Sequence, residues 1–425
     1  MKIIFSIVAL AALSLSAFAQ ESKPSIEIHG FIRNFYAYDS HKMIGLTEDF
    51  FTYVPYDVET ITNTSGDVVV EDLNEYPNFR FAALTSRLWI EVKGYEFEGW
   101  KMGARVEGDF FNGLGTDKVT GTANFRLRQA FVTASKYGLT FKAGQSWHPM
   151  AADMPDVFSL NTGAPFGPFA RTPLFQVDYN LGDGFSLTGA ALWQMQYTSN
   201  GPEGKSASYI KYGCTPELYA GVNYKTDGII LRAGLNMLSI KPVLKDAQGF
   251  RTDRITTFIP FFYAQYAKDL FSVKLKTVYA EGGEHLNLNG GYGVSKVLND
   301  GNREYTPTRN SSSWLSLKYG KKVQGILFAG YAKNFGTKEA LDGSAGVPTG
   351  FYFSGNSFDN FNQMYRLTPT VIYNLGKLAL GLEYELTSVQ YGNKALGMNL
   401  ETGLYDQGLH WVTNNRVQGL VKFTF

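Results

Sequence analysis

The stretch Trp100-Lys101-Met102-Gly103-Ala104-Arg105-Val106-Glu107-Gly108-Asp109 decides the fold. Trp100, Met102, Ala104 and Val106 share one parity. Lys101, Gly103, Arg105, Glu107 and Asp109 share the other. Successive side chains of a strand point to opposite faces, so one face of this strand is apolar and the other charged. The pattern repeats along the chain. Leu378, Leu380, Leu382, Tyr384 and Leu386 oppose Glu383 and Glu385, and Phe185, Leu187, Ala191, Trp193 and Met195 oppose Ser186, Thr188, Gln194 and Gln196.

Sixteen such segments are read, near 25–39, 80–94, 97–110, 123–136, 138–147, 169–180, 184–197, 215–225, 228–241, 252–267, 270–282, 310–319, 322–335, 360–374, 377–390 and 408–425. The tenth is the least regular. Phe258, Ile259, Phe261 and Phe262 occupy both faces, and Pro260 removes one ladder donor.

The links alternate in length. Short ones are expected at 93–96, 136–138, 181–184, 225–228, 268–269, 320–321 and 374–376, several carrying the Asp-Gly or Leu-Gly pairs that suit tight hairpins. Long ones are expected at 40–79, 111–122, 148–168, 198–214, 242–251, 283–309, 336–359 and 391–407. A soluble sandwich has no reason for such alternation, whereas outer-membrane barrels join strands by short periplasmic turns and longer extracellular loops. The last segment places Val417, Val421, Phe423 and Phe425 on one face and ends the sequence on an aromatic residue, as such barrels commonly do.

The N-terminus agrees. Lys2, the apolar run Ile3 to Leu15 and the small-x-small pattern Ala17-Phe18-Ala19 form a secretory signal over 1–19, with cleavage expected after Ala19. The apolar run is too short to span a membrane, and no later run reaches the roughly 18 apolar residues of a helical span. Gly 45, Tyr 26 and Phe 32 are abundant, Pro 15 is modest, and 39 basic residues nearly balance 38 acidic ones. No basic tract points to nucleic acid. Cys214 is the only cysteine, which excludes an internal disulfide. The expected fold is therefore all-β: a 16-stranded antiparallel transmembrane β-barrel over 20–425, in the bacterial outer membrane.

Strand number sets what the interior can hold. About eight strands fill their lumen with side chains, whereas sixteen to eighteen leave an aqueous channel. The first strand follows the signal closely, leaving no room for an N-terminal plug. By parity, His29, Arg33, Arg87, Glu91, Lys93, Lys101, Arg105, Glu107, Asp109, Arg126, Arg128, Lys142, Gln176, Asp178, Arg232, Lys274, Lys276, Lys318, Arg366, Arg416 and Lys422 face inward. Charges on the lipid face would cost about 2–4 kcal/mol each at the midplane, so their clustering on one parity fixes the facing. Most such charges simply hydrate a wall or pair with one another. Arg105, Arg126 and Arg128 are expected to shape the pore's field, with Lys142 nearby. Fixed cations in a narrow channel concentrate anions.

The segment 148–168 differs from a solvated loop. It holds Pro149, Pro155, Pro165 and Pro168 among Met150, Met154, Val157, Phe158, Leu160 and Phe166. Its stiffness and apolarity favour burial, and the lumen offers the site. It is expected to fold inward as a constriction, setting Asp153 and Asp156 opposite Arg126 and Arg128. The alternative is packing at the mouth or against a neighbouring subunit.

Phe125-Arg126-Leu127-Arg128-Gln129-Ala130-Phe131, then Phe141-Lys142-Ala143-Gly144-Gln145-Ser146-Trp147, with Asp153, Phe158, Asn161 and Arg171-Thr172-Pro173, resemble DcaP-like outer-membrane porins. The resemblance covers roughly residues 80–180 in detail and the remainder by strand count. It implies a sixteen-stranded trimeric porin passing small solutes, carboxylates among them. The longer N-terminal coiled-coil region of that family is absent here, so a homotrimer would be held by barrel walls alone.

The expectation is thus a porin for passive diffusion of small hydrophilic solutes with mild anion preference, with no cofactor or metal. Two rivals stand against it. A non-conducting barrel could bind or adhere through its long loops at 40–79, 283–309 and 336–359. A barrel hydrolase would need a nucleophile near His29, His41, His148, His285 or His410, and none shows a recognisable spacing. Asn299-Asp300-Gly301-Asn302 lacks the acidic ligands of a calcium loop and reads as a turn.

Overall fold

The structure is a computed structural model, described for residues 24–46, 50–83, 85–110, 124–195, 199–246, 249–251, 253–345 and 350–425. The expected signal segment 1–19 lies outside the described residues.

Sixteen long strands form the wall. They are β1 (Ser25–Asp39), β2 (Arg87–Phe97), β3 (Trp100–Asp109), β4 (Arg126–Lys136), β5 (Leu139–Trp147), β6 (Arg171–Gly182), β7 (Phe185–Leu192), β8 (Glu217–Lys225), β9 (Ile229–Ile240), β10 (Ile255–Lys268), β11 (Phe271–Glu281), β12 (Arg303–Gly320), β13 (Val323–Thr337), β14 (Phe361–Leu375), β15 (Leu378–Tyr391) and β16 (His410–Thr424). Each is antiparallel to the next. β1 pairs with β2 through Ser25↔Lys93 and with β16 through Phe31↔Thr424, so the sheet closes and its wall has no free edge.

Alternation dictates the facing. On β16, Trp411, Val417 and Phe423 are exposed outward, whereas Asn414, Arg416 and Gln418 are buried inward. β15 does the same with Leu382 outward and Glu383 and Glu385 inward. One end carries tight turns at Glu98-Gly99, Tyr137-Gly138, Asp183-Gly184, Thr226-Asp227-Gly228, Asp269-Leu270, Lys321-Lys322 and Gly376-Lys377. By the rule for outer-membrane barrels that end is periplasmic.

Several boundaries move. The first turn was expected at 93–96 and sits at Glu98-Gly99. Lys93 and Gly94 form a bulge between the pairs Val92↔Ala104 and Tyr95↔Met102, and Gly94 takes its left-handed φ of 77° inside the strand. The segment read as 80–94 is divided into Asn78–Ala82 and β2, both paired to β1. The segment read as 184–197 stops pairing after Leu192, although Trp193 and Met195 remain exposed. β12 begins at Arg303 rather than near 310, because Gly291–Val297 adds a ladder beside its outer end.

A hydrophobic core lies inside the barrel. Phe35 and Phe361 on the wall pack in one cluster with Phe51 and Tyr53 of the first long connection and with Met150, Phe158 and Phe166 of the segment 148–168.

Candidate functional site

β3 and β4 position the central charges. Arg105, Glu107 and Asp109 alternate inward along β3. β4 carries an extra residue at the shift from Glu107↔Gln129 to Gly108↔Leu127, and that bulge leaves Arg128 and Gln129 both buried. A bulge re-aims side chains, and here it gathers two arginines and a glutamine beside one carboxylate pair. Glu107 accepts from Arg105 Nη2 at 2.6 Å, Arg128 Nε at 2.6 Å and Gln129 Nε2 at 3.0 Å, with Arg87 at 3.5 Å. Asp109 accepts from Arg126 Nε at 2.9 Å and Arg128 Nη1 at 2.7 Å. Arg105 also reaches Glu91 at 2.7 Å.

Arg105, Arg126 and Arg128 therefore stand together in one paired network. Lys142 stands apart, with its amine 5.4 Å from the Phe131 ring centroid. The aspartates take other partners than the expected arginines. Asp153 pairs with Arg232 at 2.8 Å, and Asp156 with Lys274 at 3.1 Å and Lys318 at 3.0 Å. Their positions along the loop bring them against β9, β11 and β12, whose cations are nearer.

The segment 148–168 touches inward side chains along its length. Lys276 Nζ donates to the carbonyls of Met150 at 2.7 Å and Asp153 at 2.5 Å. Glu383 accepts the backbone N–H of Phe158 and of Ser159, each at 3.1 Å. Asn161 Nδ2 donates to Glu385 at 3.1 Å, and Arg366 Nη1 to the Ala164 carbonyl at 2.8 Å. Gly330 on β13 makes room for the Phe166 ring, since a Cβ there would lie 2.5 Å from it. Lys276, Arg366 and Glu383 are almost wholly buried, so their contacts are with the loop rather than with solvent.

Between this segment and the wall lies a cavity of about 280 Å³. Arg33, Arg87, Arg126, Arg128 and Arg171 line it together with Asp109, while Phe31, Leu46, Phe51, Trp147, Met154, Val157, Phe158, Leu160 and Phe169 supply its apolar part. Arg33, Arg87 and Arg171 were not singled out from the sequence as site residues. Inward parity marked the first two. Parity gives the facing of each residue but not which inward residues of β1, β2, β4 and β6 meet around one cavity.

A second buried polar group sits at the loop's base. Glu217 Oε1 lies 3.3 Å from His148 Nε2 and from His285 Nε2, and 2.9 Å from Asn236 Nδ2. His148 Nδ1 accepts from the Met150 N–H, so its other nitrogen carries the proton toward Glu217. For His285, burial opposes protonation, but the adjacent Glu217 carboxylate outweighs it and raises the pKa above the ordinary histidine value.

The wall, its closure and its lined interior define the sixteen-stranded porin fold. Among solved structures, the outer-membrane channel DcaP of Acinetobacter baumannii shares it with a TM-score of 0.65 at 17% identity, over 96% of this chain and 99% of that one. An anion-selective porin from Comamonas acidovorans shares it at 0.53 and 12%, over 95% and 100%. The trimer form of OmpT from Vibrio cholerae does so at 0.50 and 10%, over 95% and 99%. No family model and no curated protein matches the sequence.

Proposed function

We propose that this protein is an outer-membrane porin, a water-filled channel through which small hydrophilic solutes diffuse passively, with a preference for anions such as carboxylates. One observation carries the reading. Five guanidinium groups and a single carboxylate line the cavity between the wall and the segment 148–168 among the described residues. In this reading that segment is the constriction, with Arg105, Arg126 and Arg128 setting its field from one side and Asp153 and Asp156 fastening it on the other. Lys142 adds positive charge along the approach. Fixed guanidiniums raise the local concentration of anions and match a carboxylate by paired N–H donors. The shared fold with a porin described as anion-selective and with a trimeric one supports the preference and a homotrimer.

The test is the reversal potential in a salt gradient across a planar bilayer. The wild type should favour anions, and Arg126→Glu with Arg128→Glu should move the potential toward cation selectivity. An unmoved potential in that conducting variant removes both arginines from the filter.

A further inference from the structure

A second stretch of chain stands inside the barrel. Met43–Leu46 and Phe51–Pro55 form a small hairpin in the first long connection, with Met43↔Pro55, Gly45↔Thr52 and Leu46↔Phe51 in register. A surface loop leaves its backbone to water. Here Phe50, Phe51, Tyr53 and Val54 are buried, and the carbonyls of Phe50, Tyr53 and Pro55 accept from inward-facing side chains of the adjoining wall strands. Arg366 Nη2 on β14 donates to the Tyr53 carbonyl at 3.1 Å. Tyr391 Oη on β15 donates to the Pro55 carbonyl at 2.6 Å. Arg416 Nη1 on β16 donates to Thr52 Oγ1 at 3.3 Å. The hairpin also meets the segment 148–168 and the chain just beyond it. Asn161 Nδ2 donates to Thr52 Oγ1 at 3.4 Å, and the Phe51 and Phe169 rings stand edge to face at 5.2 Å.

Two inner segments thus divide the lumen. The segment 148–168 starts along β9, β11 and β12 and reaches β14 and β15 with its later residues, where the hairpin meets it on β14, β15 and β16. The cavity between them lies against β1 to β6, where the arginines are. Leu46 and Phe51 line that cavity, facing the guanidiniums of Arg33, Arg87, Arg126, Arg128 and Arg171. We infer that Leu46 and Phe51 are size- and polarity-determining residues of the channel, the hairpin acting as a second constriction element that narrows the passage and gives it an apolar side opposite its cations. The inference rests on the pore reading. It adds that passage is limited by residues from the first long connection as well as by the segment 148–168.

The partition gives the wall's inward cations two roles. Arg366 and Arg416 are almost fully buried and hold backbone carbonyls. A fully desolvated guanidinium persists only where such acceptors and carboxylates surround it. They hold the hairpin. Arg126 retains exposure and lines the cavity.

The experiment uses the full protein in planar bilayers. Cys214, the exposed free thiol, is first changed to Ser, and Leu46→Cys is added. Leu46 is 43% exposed, so this change leaves the fold intact. A negatively charged methanethiosulfonate reagent should then reduce the single-channel current, and should leave the Cys214→Ser control unchanged. In a separate variant, Leu46→Ala with Phe51→Ala should raise conductance. A Leu46→Cys channel that conducts and is labelled with no loss of current overturns the inference. So does a thiol that stays unlabelled in the conducting channel. Absence of current in the wild type would instead sink the pore reading itself.

Discussion

Removing the Glu383 carboxylate should release the middle of the segment 148–168. Glu383 is fully buried on β15. Its oxygens accept the Phe158 and Ser159 backbone N–H groups at 3.1 Å each, the Thr370 hydroxyl at 2.6 Å and the Gln418 amide at 3.3 Å. In Glu383→Ala two backbone donors lose their acceptor. An unsatisfied buried donor costs about 1–3 kcal/mol, so the pair amounts to roughly 2–6 kcal/mol. Water entering the vacated space brings the cost toward the lower end. At about 1.4 kcal/mol per tenfold, local opening becomes at least about 30-fold more frequent. Hydrogen exchange at the amides of Phe158 and Ser159 reads this opening, compared with amides in β16 as an internal reference. Glu383→Gln keeps one acceptor oxygen and should fall between. The reasoning is refuted if Glu383→Ala retains a folded barrel and the two amides exchange at the wild-type rate. The loop would then be held elsewhere, by Lys276 or Arg366.

Three further expectations follow from the same contacts. Gly330→Ala would place a Cβ 2.5 Å from the Phe166 ring, an overpacking cost of about 1–3 kcal/mol, so the melting temperature should fall, whereas Gly325→Ala, with open space around it, should leave it unchanged. His285 has a raised pKa beside Glu217, so its ion pair contributes fully below the unfolded histidine value of about 6.5 and fades as pH rises through the folded value. His285→Gln should therefore cost more stability at about pH 5.5 than at about pH 9, measured by denaturant melts at both. Glu107→Gln removes a carboxylate held by Arg105 and Arg128, and the freed positive charge should shift the reversal potential further toward anions in channels that still fold.

The barrel was legible because a membrane wall imposes period two on every strand, and lipid forbids charge on one parity. Trp100 to Asp109 and Leu378 to Leu386 each declare their facing without reference to a partner. Arg126 and Arg128 were legible for the same reason. Their bulge was not, because a bulge exists only relative to the register of β3. The partners of Asp153 and Asp156 were misread because ion pairing depends on where a loop's path brings it, and the part of the loop that carries them runs along β9, β11 and β12. The hairpin at 43–55 went unread as well. Its signal was present in Phe50-Phe51-Thr52-Tyr53-Val54-Pro55-Tyr56, an apolar run too greasy for a solvated connection. Arg33, Arg87 and Arg171 lie on β1, β2 and β6, and their meeting around one cavity depends on register and on the path of the inner segments. Those gaps share one cause: each depends on register or on a loop's path, which a strand's own parity does not carry.

The most direct measurement is the single-channel current of the purified wild-type protein in a planar bilayer, taken in symmetric salt and then in a salt gradient. The arginine-lined passage should give stable conductance, steps grouped in threes for a trimer, and a reversal potential on the anion side. A closed barrel with no current, or a channel that selects cations, would contradict it.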